Sequence, residues 1–239
     1  MIEIKNLVKQ YGDIRAVDDL TMTIEPGKIY GLLGKNGAGK STTMNIVTGY
    51  ISASSGSVSV CGHDIFKEAN AAKKNIGYLP EIPPLYGEMT VYEYLMFCAE
   101  LKGIKKADRT GMVDEVMEKT KIDDVEDRLI RNLSKGYKQR VGLAQAIIGY
   151  PPIIILDEPT VGLDPVQMIE IRELIKELGK EHTVILSSHI LSEISAVCDY
   201  VYIISKGKLV YHDSMEHIQE EEESLEDLFV KLTSEEEEE

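Results

Sequence analysis

Gly34-Lys35-Asn36-Gly37-Ala38-Gly39-Lys40-Ser41 fits G-x-x-x-x-G-K-[ST] at every fixed position. It follows the apolar run Ile29 to Leu33, which reads as a strand, and precedes a stretch from about Lys40 that reads as a helix. That strand-loop-helix setting is the one the motif requires. Glycines let successive backbone N–H groups turn inward around phosphate oxygens, and the helix N-terminus adds a favourable dipole. Lys40 is expected to reach the β- and γ-phosphates of a nucleotide, and Ser41 a magnesium ion. The nucleotide-binding residues are therefore read as Gly34, Lys35, Asn36, Gly37, Ala38, Gly39, Lys40, Ser41 and the adjoining Thr42.

Downstream, Ile153-Ile154-Ile155-Leu156-Asp157-Glu158 is a continuous apolar run closed by two acids. A central parallel strand, buried on both faces, has this composition. It delivers Asp157 and Glu158 to the phosphate end of the sheet. Asp157 suits the magnesium, directly or through water, and Glu158 suits polarisation of the attacking water as a general base. The plain alternative is two solvated acids at a strand end.

Between and around these stretches the pattern alternates. Strands are expected at Ile2–Val8, Leu20–Ile24, Gly56–Gly62 and Ile76–Leu79. From Val91 to Gly149 strand signals vanish, and helices are expected at Val91–Leu101, Arg109–Lys119 and Lys135–Ile148; residues 81–150 read as a helical insert. Strand and helix then alternate again through Ile153–Asp157, Pro165–Leu178, Thr183–Ser187, Ile190–Val197, Tyr200–Ser205 and Lys208–His212. Such alternation implies a largely parallel sheet flanked by helices, with ligands at the strand C-terminal ends. The hairpin-like early strands imply a small antiparallel sheet beside it. Residues 1–220 read as one domain and 221–239 as an acidic tail. Within the tail, Ser224-Leu225-Glu226-Asp227 resembles a capping box, and Leu225, Leu228, Phe229 and Leu232 fall on one helix face. The five final glutamates read as a solvated, disordered end.

The chain carries a net charge of -15, and residues 216–239 hold twelve of its acids against one lysine. The rest is close to balanced, which argues against nucleic acid as a partner, since phosphate backbones select a basic face. No apolar run approaches the roughly 18 residues of a membrane span. The start, Met-Ile-Glu-Ile-Lys-Asn, lacks the features of a signal peptide, so a cytoplasmic location is expected. Cys61, Cys98 and Cys198 lie far apart and are expected to be reduced and buried. His63, His182, His212 and His217 show no ligand spacing.

Residues 133–140 read Leu-Ser-Lys-Gly-Tyr-Lys-Gln-Arg, a helix start just upstream of the acidic strand. With this stretch the chain resembles the ATP-binding-cassette (ABC) ATPases over nearly its whole length, and in particular the bacterial export-type group with separate permeases. That family's signature is Leu-Ser-Gly-Gly-Gln. Here Leu133, Ser134 and Gly136 match, whereas Lys135 and Tyr137 depart. Ser134 sits where a helix N-cap belongs; the family's Gln three positions later closes a capping box that Tyr137 cannot close in the same way. The Ser134 hydroxyl and Gly136 amide remain available to a γ-phosphate. Taken alone, this stretch would be a plain helix cap.

The resemblance extends to further positions. Tyr11, before Gly12, is similar to the aromatic residue that stacks on adenine; a half-buried turn residue is the lesser alternative. Gly162-Leu163-Asp164 resembles the loop whose Asp faces the opposite subunit, while Asp164 before Pro165 also reads as a helix N-cap. His189 resembles the switch histidine that contacts the γ-phosphate. Where the family has a Gln ending the strand that enters the insert, this chain has Glu81, which offers an oxygen to magnesium or water but donates no hydrogen bond when ionised; a solvated loop acid is the alternative.

The resemblance implies an α/β fold: a P-loop NTPase with a mainly parallel sheet, a small antiparallel β-subdomain and a helical insert. It implies an ATPase using ATP and Mg2+. Lys40, Glu158 and His189 would be catalytic, and Ser41, Glu81 and Asp157 would serve the metal. Tyr11, Ser134, Gly136 and Asp164 would join the nucleotide-binding set. Its partners would be a second ATPase subunit in a head-to-tail homodimer and a separate transmembrane permease, giving a peripheral position on the inner face of the cell membrane. Two rivals remain at this point: a non-transport ABC ATPase acting on ribosomes or DNA, and a P-loop kinase.

Overall fold

The computed structural model describes residues 1–220 and 224–234. Strands β1 (Ile2–Tyr11) and β2 (Ile14–Ile24) open the chain as an antiparallel pair. β2 begins six residues before the expected Leu20, because register shifts after Ile4 and Leu7 break the alternation of side chains along the pair. β3 (Ile29–Leu33) is buried throughout and feeds the glycine loop, which ends in α1 (Lys40–Val47). There follow β4 (Ser55–Val60), β5 (His63–Asp64), α2 (Ala69–Lys73) and β6 (Ile76–Leu79). β5 and α2 were not expected; at two and five residues neither is long enough to show a period.

After β6 the chain runs through α3 (Val91–Leu101), α4 (Lys106–Thr120) and α5 (Lys135–Ile147), with short 3-10 turns at Asp123–Val125 and Ile130–Asn132. α3 starts at a complete capping box: Glu93 N donates to Thr90 Oγ1 at 3.2 Å and Thr90 N to Glu93 Oε2 at 2.9 Å. α5 ends on a buried lysine. Lys102 Nζ donates to the carbonyls of Gln145, Ala146 and Ile148 at 3.0, 3.0 and 2.7 Å, satisfying acceptors that a helix terminus leaves open. Burial pushes the Lys102 ammonium down to about 8.

The remaining elements are β7 (Ile153–Asp157), α6 (Pro165–Gly179), β8 (Thr183–Ser188), α7 (Leu191–Val197), β9 (Tyr200–Ser205), β10 (Lys208–Ser214), α8 (Met215–Glu220) and α9 (Leu225–Ser234). In α9, Leu225, Leu228 and Phe229 are buried and Leu232 packs against the same core, as the apolar spacing predicts. The expectation for the five final glutamates lies outside the described residues.

Two sheets result. One is antiparallel, in the order β2-β1-β4-β5; the other has the order β10-β9-β3-β8-β7-β6 and is parallel except for β10. The parallel strands are buried on both faces because they divide two cores. Ile153 and Ile155 of β7 and Ile185 of β8 face the core shared with the antiparallel sheet; Ile154, Leu156, Val184 and Leu186 face the core shared with the helices. Period-two alternation thus exists in space, though both faces are apolar and the sequence reads as a continuous run. Cys98 and Cys198 are buried free thiols, but Cys61 is exposed, contrary to expectation: it occupies the turn between β4 and β5 with φ 49°.

Candidate functional site

Three neighbouring strands bring their C-terminal ends to one place. β3 leads into the loop carrying Lys40 and Ser41, β7 ends at Asp157, and β8, hydrogen-bonded between them, ends just before His189. Register does the alignment: Asp157 pairs with Ser187 and Leu33 with Ser188.

The loop is held by its glycines at two points. Gly39, the residue before α1, has φ 107°, and a Cβ there would stand 2.4 Å from the Ala16 carbonyl oxygen. At Gly34 a Cβ would stand 2.5 Å from the carbonyl oxygen of Ile204 in β9. Both sites require close backbone approach, so the loop packs against its neighbours as main chain. Lys40 folds back over it, donating to the carbonyl oxygens of Gly34 at 2.8 Å and Lys35 at 3.3 Å.

Asp157 and Glu158 are buried at the end of β7. Asp157 Oδ1 accepts from Ser41 Oγ at 3.1 Å and from Ser187 Oγ at 2.5 Å. Ser187 Oγ also accepts from Glu158 N at 2.9 Å, so one hydroxyl fixes both acids. Glu158 has φ 48°, a left-handed conformation rare outside glycine, which turns its side chain away from the strand direction. Its carboxylate then meets Lys40 Nζ at 3.5 Å and His189 Nδ1 at 2.9 Å. Behind His189, buried Glu193 accepts from Ser188 Oγ at 2.7 Å and from Thr160 Oγ1, and Ser188 Oγ accepts from Ile190 N at 3.0 Å. The turn bearing His189 is therefore braced from within. Ser187, Ser188 and Glu193 escaped sequence reading, since no motif marks them beyond their place next to a strand end.

These groups open on a cavity of about 310 Å³, lined among others by Asn36, Gly37, Gly39, Lys40, Ser41, Thr42, Glu81, Glu158 and His189. Glu81 thus joins the site, although it arrives from a different strand end. A hydroxyl, a carboxylate bonded to it and a further carboxylate at the cavity wall are hard oxygen donors, the type magnesium takes. Among the described residues no cluster of three His, Cys, Asp or Glu could hold a metal unaided. A magnesium ion here would therefore draw its other ligands from phosphate and water, which is how that ion is ordinarily bound beside nucleotides.

Eight expected residues do not line this cavity: Gly34, Lys35, Ala38 and Asp157, which adjoin residues that do, and four others. Tyr11 is half exposed at the end of β1, with Lys9 Nζ 5.0 Å from its ring centroid. Asp164 caps α6, accepting from Val166 N and Gln167 N at 3.0 Å each. Ser134 caps α5, its hydroxyl accepting from Tyr137 N at 3.4 Å, and Gly136 sits in the first turn of that helix with no room for a side chain beside Gln167. The departures from the signature have their own contacts. The Tyr137 phenol donates to Asp124 Oδ2 at 2.8 Å, and Lys135 Nζ occupies the space a Cβ at Gly162 would need.

Comparison with known proteins agrees with this geometry. A family model described as ABC transporter matches residues 17–161. The chain is 40% identical over 220 residues to a bacitracin transport ATP-binding protein of Bacillus licheniformis, covering 91% of this chain and 71% of that one. It is 36% identical over 230 residues to a lantibiotic transport ATP-binding protein of Streptococcus pyogenes, covering 96% of each. A solved structure of the ATP binding subunit of an ABC transporter superposes with a TM-score of 0.87 at 29% identity, over 97% of this chain and 99% of that one.

Proposed function

The chain belongs to the ABC transporter family as an ATP-binding, ATP-hydrolysing subunit, and from that premise we propose how its residues divide the work and what it works with. The observation that carries the reading is the convergence of Lys40, Ser41, Glu158 and His189 on one cavity, with Asp157 hydrogen-bonded to Ser41 at its edge.

Backbone N–H groups of Gly34 to Ser41 and the start of α1 take the phosphates, with Thr42 beside them and Lys40 at the β- and γ-oxygens. Glu158 orients and deprotonates the attacking water, and His189, bonded to its carboxylate, holds that orientation beside the γ-phosphate. Ser41, Asp157 and Glu81 would hold magnesium, which when bound neutralises charge on the phosphate oxygens. Tyr11 is assigned to the adenine, by stacking.

Ser134, Gly136 and Asp164 are assigned to the site of a second copy. None of the three lines the cavity of its own chain, which supports this: a Ser hydroxyl and a helix N-terminus suited to phosphate stand outside it. The partner is thus a second ATPase subunit, head-to-tail, and we favour a homodimer. No helix among the described residues is long and apolar enough to cross a membrane; we propose a separate permease as the second partner, with this subunit peripheral on its inner face. The named relatives serve bacitracin and lantibiotic transport; export of an amphipathic compound is the direction we propose.

The test is purification from the native membrane with and without ATP hydrolysis assayed. A co-purifying multi-span membrane protein whose transport needs Glu158 supports the assignment. Phosphate release without any membrane partner, in material bound to ribosomes or DNA, would transfer it to the non-transport reading, and a phosphorylated acceptor in place of free phosphate to the kinase reading.

A further inference from the structure

Glu193 is 2% exposed, against 3% for Asp157 and 7% for Glu158, yet it does not line the nucleotide cavity. A carboxylate withdrawn from water that far has to be paired and hydrogen-bonded. Its two oxygens divide between two segments of the chain. Oε2 accepts from Ser188 Oγ at 2.7 Å, and Ser188 Oγ accepts from Ile190 N at 3.0 Å, so this oxygen holds both neighbours of His189. Oε1 accepts from Thr160 Oγ1, two residues after Glu158. Arg172 Nη2, on α6, stands 3.7 Å from the same oxygen and supplies the counter-charge.

The loop that carries Thr160 is tightly turned. Val161 N donates to Glu158 O at 3.1 Å and Leu163 N to Thr160 O at 3.2 Å. The last pair between β7 and β8 is Asp157 with Ser187. Glu158 and His189 both lie beyond it. The ladder fixes where the two backbones leave the sheet but not the orientation of the turns that follow. The Glu193 carboxylate bridges those turns, behind the 2.9 Å contact between His189 Nδ1 and Glu158 Oε2.

We propose that Glu193 is a positioning residue for hydrolysis: by tying Ser188 to Thr160 it holds the His189 turn and the Glu158 loop at the spacing in which the histidine meets the base. The proposal rests on the reading of this cavity as the ATP site. Glu193 acts through His189 and Glu158. A small misplacement of a positioned base lowers the rate of the chemical step, whereas the phosphate loop, which Glu193 does not touch, goes on binding ATP.

The experiment is steady-state ATP hydrolysis by full-chain variants, each checked by circular dichroism at the assay temperature. Glu193→Gln keeps the side chain's shape but puts a donor in place of one acceptor, so one of the two hydroxyls loses its partner. Its kcat should fall about tenfold, with KM for ATP unchanged. Thr160→Val cuts the other end of the bridge and should show the same split, and Thr160→Ser, which restores the hydroxyl, should recover most of the rate. In a His189→Ala background Glu193→Gln should cost nothing further. A wild-type kcat in Glu193→Gln, a raised KM at unchanged kcat, full additivity with His189→Ala, or Thr160→Ser no better than Thr160→Val would each overturn the proposal. If Glu193→Gln does not fold, the Thr160 pair decides alone. Lys40→Ala separates these outcomes from the underlying reading: if that variant hydrolyses ATP at the wild-type rate, the cavity is not the ATP site; if it is inactive while Glu193→Gln is unimpaired, only the role of Glu193 is refuted.

Discussion

Nζ of Lys40 stands 3.5 Å from a carboxylate oxygen of Glu158, with both side chains buried. The group assigned to the phosphates and the group assigned to the water are thus ion-paired to each other. A phosphate that engages Lys40 must share its ammonium with Glu158, and in doing so it changes the surroundings of the base at the moment the base is needed.

Glu158→Gln keeps the shape and the hydrogen-bonding reach of the side chain but removes its basicity. Hydrolysis should fall by about 10²- to 10⁴-fold, the usual contribution of a positioned base, while ATP binding persists. The ATP-loaded variant should accumulate as a dimer by light scattering. A strict monomer at saturating ATP would count against the shared site.

Lys40→Ala removes the cation on which both the loop carbonyls and Glu158 converge. Phosphate release should drop to background. The melting temperature should fall as well, because a buried carboxylate loses a partner and keeps only His189 and the solvent side of the cavity. Turnover near the wild-type rate would exclude this loop as the site.

Ser134→Arg places a long cation where the cap hydroxyl faces the proposed second copy. Dimerisation with ATP should be blocked, measured in the Glu158→Gln background, and the monomer's affinity for ATP should be unchanged. Hydrolysis at the unaltered wild-type rate in Ser134→Arg alone would mean that this helix start takes no part.

Lys102→Met tests the scaffold. It leaves the carbonyls of Gln145, Ala146 and Ile148 without their donor at the end of α5, at a cost of about 1–3 kcal/mol, read from denaturant midpoints. The pH dependence has a definite sign. Burial lowers Lys102 to about 8 from an ordinary 10.5, so between those values the unfolded chain holds a proton that the folded chain has released. Stability therefore rises with pH over that window in the wild type relative to Lys102→Met. A constant difference from pH 7 to 11 would disprove the assignment of the shift.

How far the sequence reveals this molecule depends on what each element must bury. β3, β6, β7 and β9 could be bounded residue by residue, since a strand between two cores must be apolar from end to end. α3 was equally plain from the helical spacing of Val91–Leu101, although its capping box at Thr90 and Glu93 was not read. β5 and α2 were invisible because a single turn or pair has no period. The phosphate loop and the acid pair are local motifs, so they were readable; Ser187, which fixes both acids, depends on β7 and β8 lying side by side in one register, and nothing local announces that. Lys102 reads as a solvated lysine until α5 is seen to end on it. Cys61 was misjudged for the converse reason: a small apolar residue was expected inside, but the turn after β4 turns it out.

The placement of β8 between β3 and β7 has a further consequence. His189 and Glu158 directly follow two adjacent strands of one hydrogen-bonded ladder, whose spacing is a constant of about 4.8 Å. The separation of their backbones is set by that main-chain geometry. α5 belongs to no rung. Its start is held by side-chain contacts instead, among them Tyr137 on Asp124, Lys138 Nζ on Arg131 O and Lys135 lying on Gly162. Evolution can therefore retune the half of the machine that meets a neighbour while the half that meets the nucleotide stays on its ruler.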